Sequence, residues 1–255
     1  MGTAITLIVL VLLVVGGAVY YAKARAAANQ RRLDDAKADA RRWVERLGGQ
    51  VLNLSGNDTP SQQAMADAAE RYNAAGSQME QAQTEEQAKL VTATALEGLY
   101  YVRAARTAMG MDPGPELPAD AERDRAGAVT EHRTVDVEGR TYEASPEPGS
   151  NTPHYYPGGR VAGRPVPQGW YSEPWWKPAL VAGAWGLGSM FLFGAMFSGM
   201  AGIPDAQAWE SGYDAGQQDA VEGGGDAGDG GGDMGGDMGG GDMGDMGGGM
   251  DFGGF

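Results

Sequence analysis

Apolar positions along this chain follow three patterns, and each predicts a different element. Residues 4–22 and 178–203 are apolar with no polar face: no charged side chain occurs from Met1 through Ala22, and Pro178 to Ile203 holds nothing more polar than Ser189 and Ser198. Runs that uniform predict two transmembrane helices, since residues 4–22 at about 1.5 Å each cover roughly 28 Å of the ~30 Å hydrocarbon layer. The second run is interrupted by Gly183, Gly186, Gly188, Gly194, Gly199 and Gly202, so a re-entrant or interfacial placement is its alternative. Trp170, Tyr171, Trp175, Trp176 and Lys177 precede it. Such side chains settle at headgroup level, or else form a dry core cluster.

Between the two runs, residues 23–109 carry the second pattern, a 3,4 spacing that keeps one stripe facing one partner. Leu33, Ala36, Ala40, Trp43 and Leu47 form a first stripe, which Gly48-Gly49 is expected to end. Thr59-Pro60-Ser61-Gln62 signals a new start, with Thr59 as cap and Gln62 closing a capping box. Its stripe is Met65, Ala68, Tyr72, Ala75, Met79, Ala82; a shifted one follows at Ala88, Val91, Ala95, Gly98, Val102, Ala105, Met109. The phase breaks near Thr84, where Thr84 and Gln87 offer another capping box. A three-helix coiled-coil-like bundle fits, with one long helix and a phase skip as the alternative. Nine of its 18 seam positions are Ala or Gly, which makes the bundle thin, and Trp43 is expected to be its largest anchor.

The third pattern is short and alternating. After a Pro- and charge-rich linker at 110–128, Val135, Val137 and Tyr142 alternate about Glu138-Gly139-Arg140 and predict one β-hairpin within 129–144. Residues 145–177 are rich in Pro, Gly and aromatics and read as an extended juxtamembrane segment. Residues 204–255 become low-complexity Gly, Asp and Met, a composition expected to be disordered. The fold expected is mainly α: two spans, a helical bundle, a small hairpin and an acidic tail.

Charge adds a direction. The net charge of −15 argues against nucleic acid as a partner, and all 19 Lys and Arg lie between Lys23 and Lys177. Lys23, Arg25, Arg31 and Arg32 follow the first run, and Arg160, Arg164 and Lys177 precede the second. Basic flanks stay on the cytoplasmic side, so both runs predict residues 23–177 in the cytoplasm, with the N-terminus and the tail outside. A cleavable signal peptide is the rival for the first run, although its basic residues follow the core instead of preceding it. The opening Met1-Gly2-Thr3-Ala4-Ile5-Thr6 also fits a myristoylation pattern.

Four blocks, RRLDDAKADARRWVERLGGQVLNL (31–54), ALEGLYYVRAARTAMGMDPGPELP (95–118), HYYPGGRVAGRPVP (154–167) and GWYSEPWWKP (169–178), resemble an uncharacterised family of actinobacterial membrane proteins. The resemblance covers most of residues 1–203 and implies a two-span membrane protein with no assigned activity. Some members carry the label of a domain of unknown function also applied to repeated helical segments of Gram-positive surface proteins. Residues 23–177 show no such repeat, so that label does not carry a surface role to this chain.

Candidate chemistry is sparse. Without Cys there is no disulfide, zinc-thiolate site or thiol nucleophile. Gly158-Gly159-Arg160-Val161-Ala162-Gly163-Arg164-Pro165 has the glycine spacing of a phosphate loop, but Arg164-Pro165 stands where Lys-Ser/Thr is needed. His132 and His154 have no helix-spaced partner ligand, and Asp34-Asp35 and Glu85-Glu86 read as solvated faces. The sequons at Asn53 and Asn57 have nothing to do in a cytoplasmic loop, and Ala184/Gly188 and Gly194/Ser198 are small pairs that would admit another helix. Met234, Met238, Met243, Met246 and Met250 recur among Gly and Asp in the tail; soft thioethers select Cu(I). Two functions remain, neither enzymatic and neither requiring a cofactor. One is a membrane-anchored scaffold touching lipid, with the bundle or second span binding another copy or a protein partner. The other is a Cu(I)-handling envelope accessory protein.

Overall fold

The computed structural model describes residues 2–186 and 188–205, and for residues 2–9, 11, 12 and 14 the backbone alone. Three helices form the first layer: α1 (Gly2–Asn53), α2 (Thr59–Gln81) and α3 (Glu85–Ala108). α2 begins with a capping box set one residue ahead of the Thr59/Gln62 pair. The Ser61 N–H donates to the Asp58 carboxylate at 2.8 Å and the Asp58 N–H to the Ser61 hydroxyl at 3.1 Å. At α3 the reciprocal bonds join Thr84 and Gln87, both at 3.2 Å. Two orphan donors are thereby satisfied, and the chain reverses at 82–84 without Gly or Pro. Gly48-Gly49 does not end α1. Gly48 is buried against Tyr72, whose Cε2 would lie 2.8 Å from a Cβ at that position, and the helix runs on to Asn53.

The stripes meet as a small-residue core of Ala40, Leu47, Ala64, Met65, Ala68, Ala75, Val91, Ala95, Leu99 and Val102. Trp43 is only half-buried, with the Arg46 guanidinium 5.3 Å from its ring centroid, so the expectation that it anchors the seam is corrected. Fully buried Leu47 does so, because Gly98 on α3 leaves room for it: a Cβ on Gly98 would meet Leu47 Cδ2 at 2.5 Å.

A small sheet closes the open side of the bundle. A short helix α4 (Ala121–Ala126) leads to β1 (Arg133–Val137) and β2 (Arg140–Ser145), joined by Glu138-Gly139. Next come β3 (His154–Tyr156), β4 (Gly159–Val161), β5 (Arg164–Val166) and β6 (Gly169–Tyr171). The four-stranded order is β1-β2-β6-β3, all neighbours antiparallel, and β4 pairs with β5 separately. Side chains alternate across a strand, so Tyr155 and Trp170 enter the bundle core while Tyr156 and Tyr171 enter a second core on the far face.

That second core contains the apolar run expected to be the second span. Lys177–Ala182 forms α5 and Ser189–Phe197 forms α6; Gly183 ends α5 with φ +68, a conformation that suits glycine. Leu192, Phe193, Met196 and Phe197 form one stripe of α6 and pack on Tyr171 and Trp176. A nine-residue helix is about 14 Å long, less than half a bilayer core. Among the described residues no helix is long and apolar enough to cross a membrane. The two-span architecture is therefore corrected to a mainly helical chain with a small β-sheet region. Trp170, Tyr171 and Trp176, at 3, 0 and 2 % exposure, form a dry core and not a headgroup belt.

Glycine to alanine inside a helix ordinarily stabilises by about 1 kcal/mol. At position 98 overpacking against Leu47 reverses the sign, so Gly98→Ala should cost about 1–3 kcal/mol in chemical denaturation. Adding Leu47→Ala to Gly98→Ala should give a double-mutant cycle with favourable coupling; additive effects would show that the two side chains do not share one space.

Candidate functional site

Two features stand apart from the packed body: a bare helix and a groove. Every described side chain of α1 from Leu10 to Arg32 is exposed; Ala26, Asn29, Gln30 and Arg32 lie beside the α2–α3 turn, and the helix before Ala26 projects beyond it. Leu10, Leu13 and Val15 are 61, 71 and 53 % exposed, Val19, Tyr20 and Tyr21 50, 77 and 66 %. Lys23 and Arg25 follow on the projecting arm, and Arg31 and Arg32 come where α1 reaches the α2–α3 turn.

The groove, of about 700 Å³, lies between the β1–β2 hairpin and the α5–α6 layer. Val137, Tyr142, Trp175, Trp185 and Leu192 supply its apolar wall; Glu138, Arg140, Glu173 and Lys177 supply its charges. Arg140 donates to Glu173 at 2.5 Å, and Lys177 Nζ donates to Asp67 Oδ1 at 2.8 Å. Asp67 belongs to α2 and its side chain is 7 % exposed, so this ion pair fastens the start of α5 to the bundle.

His154, at the start of β3, is electrostatically coupled to Asp67, Lys177 and Glu173. Burial holds its imidazole below the ordinary histidine value; Asp67 opposes that shift and Lys177 reinforces it. Its Nδ1 is buried with no hydrogen-bond partner among the described residues. Further along the junction, Glu97 on α3 has Arg71 at 3.8 Å. Burial nevertheless pushes the Glu97 carboxyl above its ordinary value, against the attraction of Arg71 and Arg123.

The residues singled out from the sequence are not brought together. Met234, Met238, Met243, Met246 and Met250 lie outside the described residues. Among the described residues no group of three or more His, Cys, Asp or Glu is placed to hold a metal. The glycine-spaced 158–165 segment is a hairpin whose turn residues, Ala162 and Gly163, have φ +44 and +80. His132 reaches Glu143 at 3.5 Å, remote in role from His154. Ala184 and Gly188 do not share a helix. Of the groove residues, Glu173 and Trp185 are singled out by no pattern, while Trp175 reads from the sequence as part of an aromatic cluster and Glu138 only as part of a turn. The one available signal was Glu138 itself, a Glu in the first place of a two-residue hairpin turn that suits Gly, Asn or Asp.

Comparison with protein-family models, curated proteins and solved structures finds no match.

The two titrating groups act with opposite signs. His154, depressed in the fold, contributes stability that is full above its unfolded value near ~6.5 and falls as pH drops through the folded value. Glu97, raised in the fold, makes stability fall as pH rises from its unfolded value near ~4.3 through the raised one. Glu97→Gln should therefore raise the melting temperature at pH 7 and leave it nearly unchanged at pH 4, while His154→Gln should flatten the loss below pH ~6.5. Melting curves from pH 4 to 8 check both; an equal shift of Glu97→Gln at the two pH values would contradict the assignment.

Proposed function

We propose that this chain is a non-enzymatic, lipid-associated scaffold, in which the projecting part of α1 attaches a folded helical and β body to a membrane surface. The observation that carries the reading is the arm: an uncharged segment with Leu10, Leu13, Val15, Val19, Tyr20 and Tyr21 exposed, followed by a basic collar at Lys23, Arg25, Arg31 and Arg32. A soluble monomer rarely leaves so continuous an apolar surface bare. Lipid would cover the apolar side chains, and anionic headgroups would attract the collar at roughly 1 kcal/mol per cation. The body has less need of a partner than its thin bundle implies, because Tyr155 and Trp170 from the sheet fill that core. Attachment is thus assigned to the arm, and the scaffold's cargo to the body's outer surface.

The test is co-sedimentation of the full chain with anionic vesicles. Burying one leucine contributes about 1.5–3 kcal/mol, so Leu13→Asp with Val15→Asp should weaken binding at least about tenfold. Raising the salt should weaken the unaltered chain's binding through the collar. Equal sedimentation of the altered and unaltered chains would remove lipid attachment by the arm.

A further inference from the structure

The geometry points to the groove between the β1–β2 hairpin and the α5–α6 layer as a binding site for a small organic cation of the ammonium class, with Glu138 as counter-ion and Trp175 and Trp185 as its aromatic wall. The inference does not depend on how the arm attaches.

Volume comes first. About 700 Å³ falls within the roughly 300–1,000 Å³ typical of small-molecule sites. Its charge balance then selects the sign of the ligand. Arg140 is matched by Glu173 and Lys177 by Asp67, whereas Glu138 has no ion pair or hydrogen bond among the described residues. One carboxylate is left over, and a single positive charge would neutralise the groove. A metal ion fits poorly, because among the described residues no group of three or more His, Cys, Asp or Glu gathers there to make a coordination set.

Glu138 is also held where a glutamate is uncomfortable. Its φ is +54 and that of Gly139 is +77, the left-handed pair of a two-residue hairpin turn that suits Gly, Asn or Asp. Strain kept at the rim of a cavity is an indication of a site. Across the groove, Gly188 leaves the carboxylate its room, since a Cβ there would stand 3.1 Å from Glu138 Oε1.

The aromatic wall supplies the second half of the recognition. The Trp175 and Trp185 ring centroids are 5.6 Å apart with planes tilted by 39°, and both rings line the groove. Trp185 is fixed by donating its indole N–H to Val161 O at 2.8 Å. The Trp175 Nε1 is buried with no acceptor among the described residues, so it is the indole ring and not its N–H that the groove offers a ligand. Indole faces attract ammonium groups through their negative π-surface, most strongly when water is excluded.

The probe is butyrylcholine, which combines a trimethylammonium group, an ester carbonyl and a short apolar chain; its uncharged carbon isostere, 3,3-dimethylbutyl butyrate, is the control. Titration of the full chain by calorimetry and tryptophan fluorescence should show saturable binding of butyrylcholine and at least about tenfold weaker binding of the isostere. Glu138→Gln, which keeps the shape of the side chain, should lose about the same factor. Glu138→Gly should lose it too while melting a few degrees higher, because glycine relieves the left-handed turn. Vesicles with trimethylammonium headgroups, compared with phosphatidylglycerol vesicles, separate two sources of the same chemistry. Selective competition by the former assigns the site to a lipid headgroup, and saturable butyrylcholine binding without competition assigns it to a free cation. Absence of saturable binding, equal affinity for the two probes, or unchanged affinity in Glu138→Gln overturns the proposal.

Discussion

The structure depends on one alternation: in the paired strands β3 and β6, adjacent aromatic side chains point to opposite faces. Tyr155 and Trp170, 5.0 Å apart between ring centroids, face the bundle, and Tyr101 from α3 meets Tyr155 edge-on at 6.0 Å. Tyr156 and Tyr171 face the other way and meet Trp176 at 4.9 and 5.0 Å. Three-residue strands are too short to be stable alone. Placed between two apolar layers they gain burial on both faces, and each layer gains a lid. A bundle whose seam is half Ala and Gly has little to bury; large aromatic rings contributed from outside make up that deficit.

The same constraint explains how an apolar run can look like a membrane span. In residues 178–203 the stripe Leu192, Phe193, Met196 and Phe197 is covered by the sheet, and burial asks the same composition of that face as lipid does, while Phe191 and Val181 stay exposed. What distinguishes the two is continuity. Gly183 reverses the chain with a positive φ, Gly186 and Gly188 lie in the connection, and Gly188 has Glu138 pressed against it. A span needs an unbroken backbone ladder, whereas a layer over a sheet tolerates a break wherever the sheet ends.

Much of the bundle was legible in the sequence because helical period and capping are local. The shifted stripe from Ala88 to Ala105 and the Thr84/Gln87 box depend on residues within a few turns of each other, and the start of α2 was misplaced by only one residue, from Asp58 to Thr59. Gly48-Gly49 misled because glycine serves two purposes: ending a helix and admitting a neighbour, here Tyr72. Trp43 misled because size was taken for burial; that Leu47 reaches the centre was decided by the gap at Gly98, 51 residues further along the chain from Leu47. The sheet was legible only as its β1–β2 hairpin. The strands HYY and GWY are too short to show a period of two, and their pairing across the β4–β5 excursion is non-local. The groove was the least legible, since it joins the tip of that hairpin to a segment that had been assigned to lipid.

Lys177 connects these levels. Its ammonium lines the groove, while its partner Asp67 sits on α2 with its side chain 7 % exposed. Removing Lys177 would leave the buried Asp67 carboxylate uncompensated, which costs more than the pair itself contributes. The start of α5 is therefore held against the bundle by an electrostatic clamp in addition to packing. Trp175 and Trp176 immediately precede Lys177, so one side of the clamp fixes the aromatic wall of the groove and the other fixes the buried ring that covers Tyr156 and Tyr171. Whatever occupies the groove consequently bears on a segment tied directly to α2, and the groove's shape is coupled to the bundle that the arm carries.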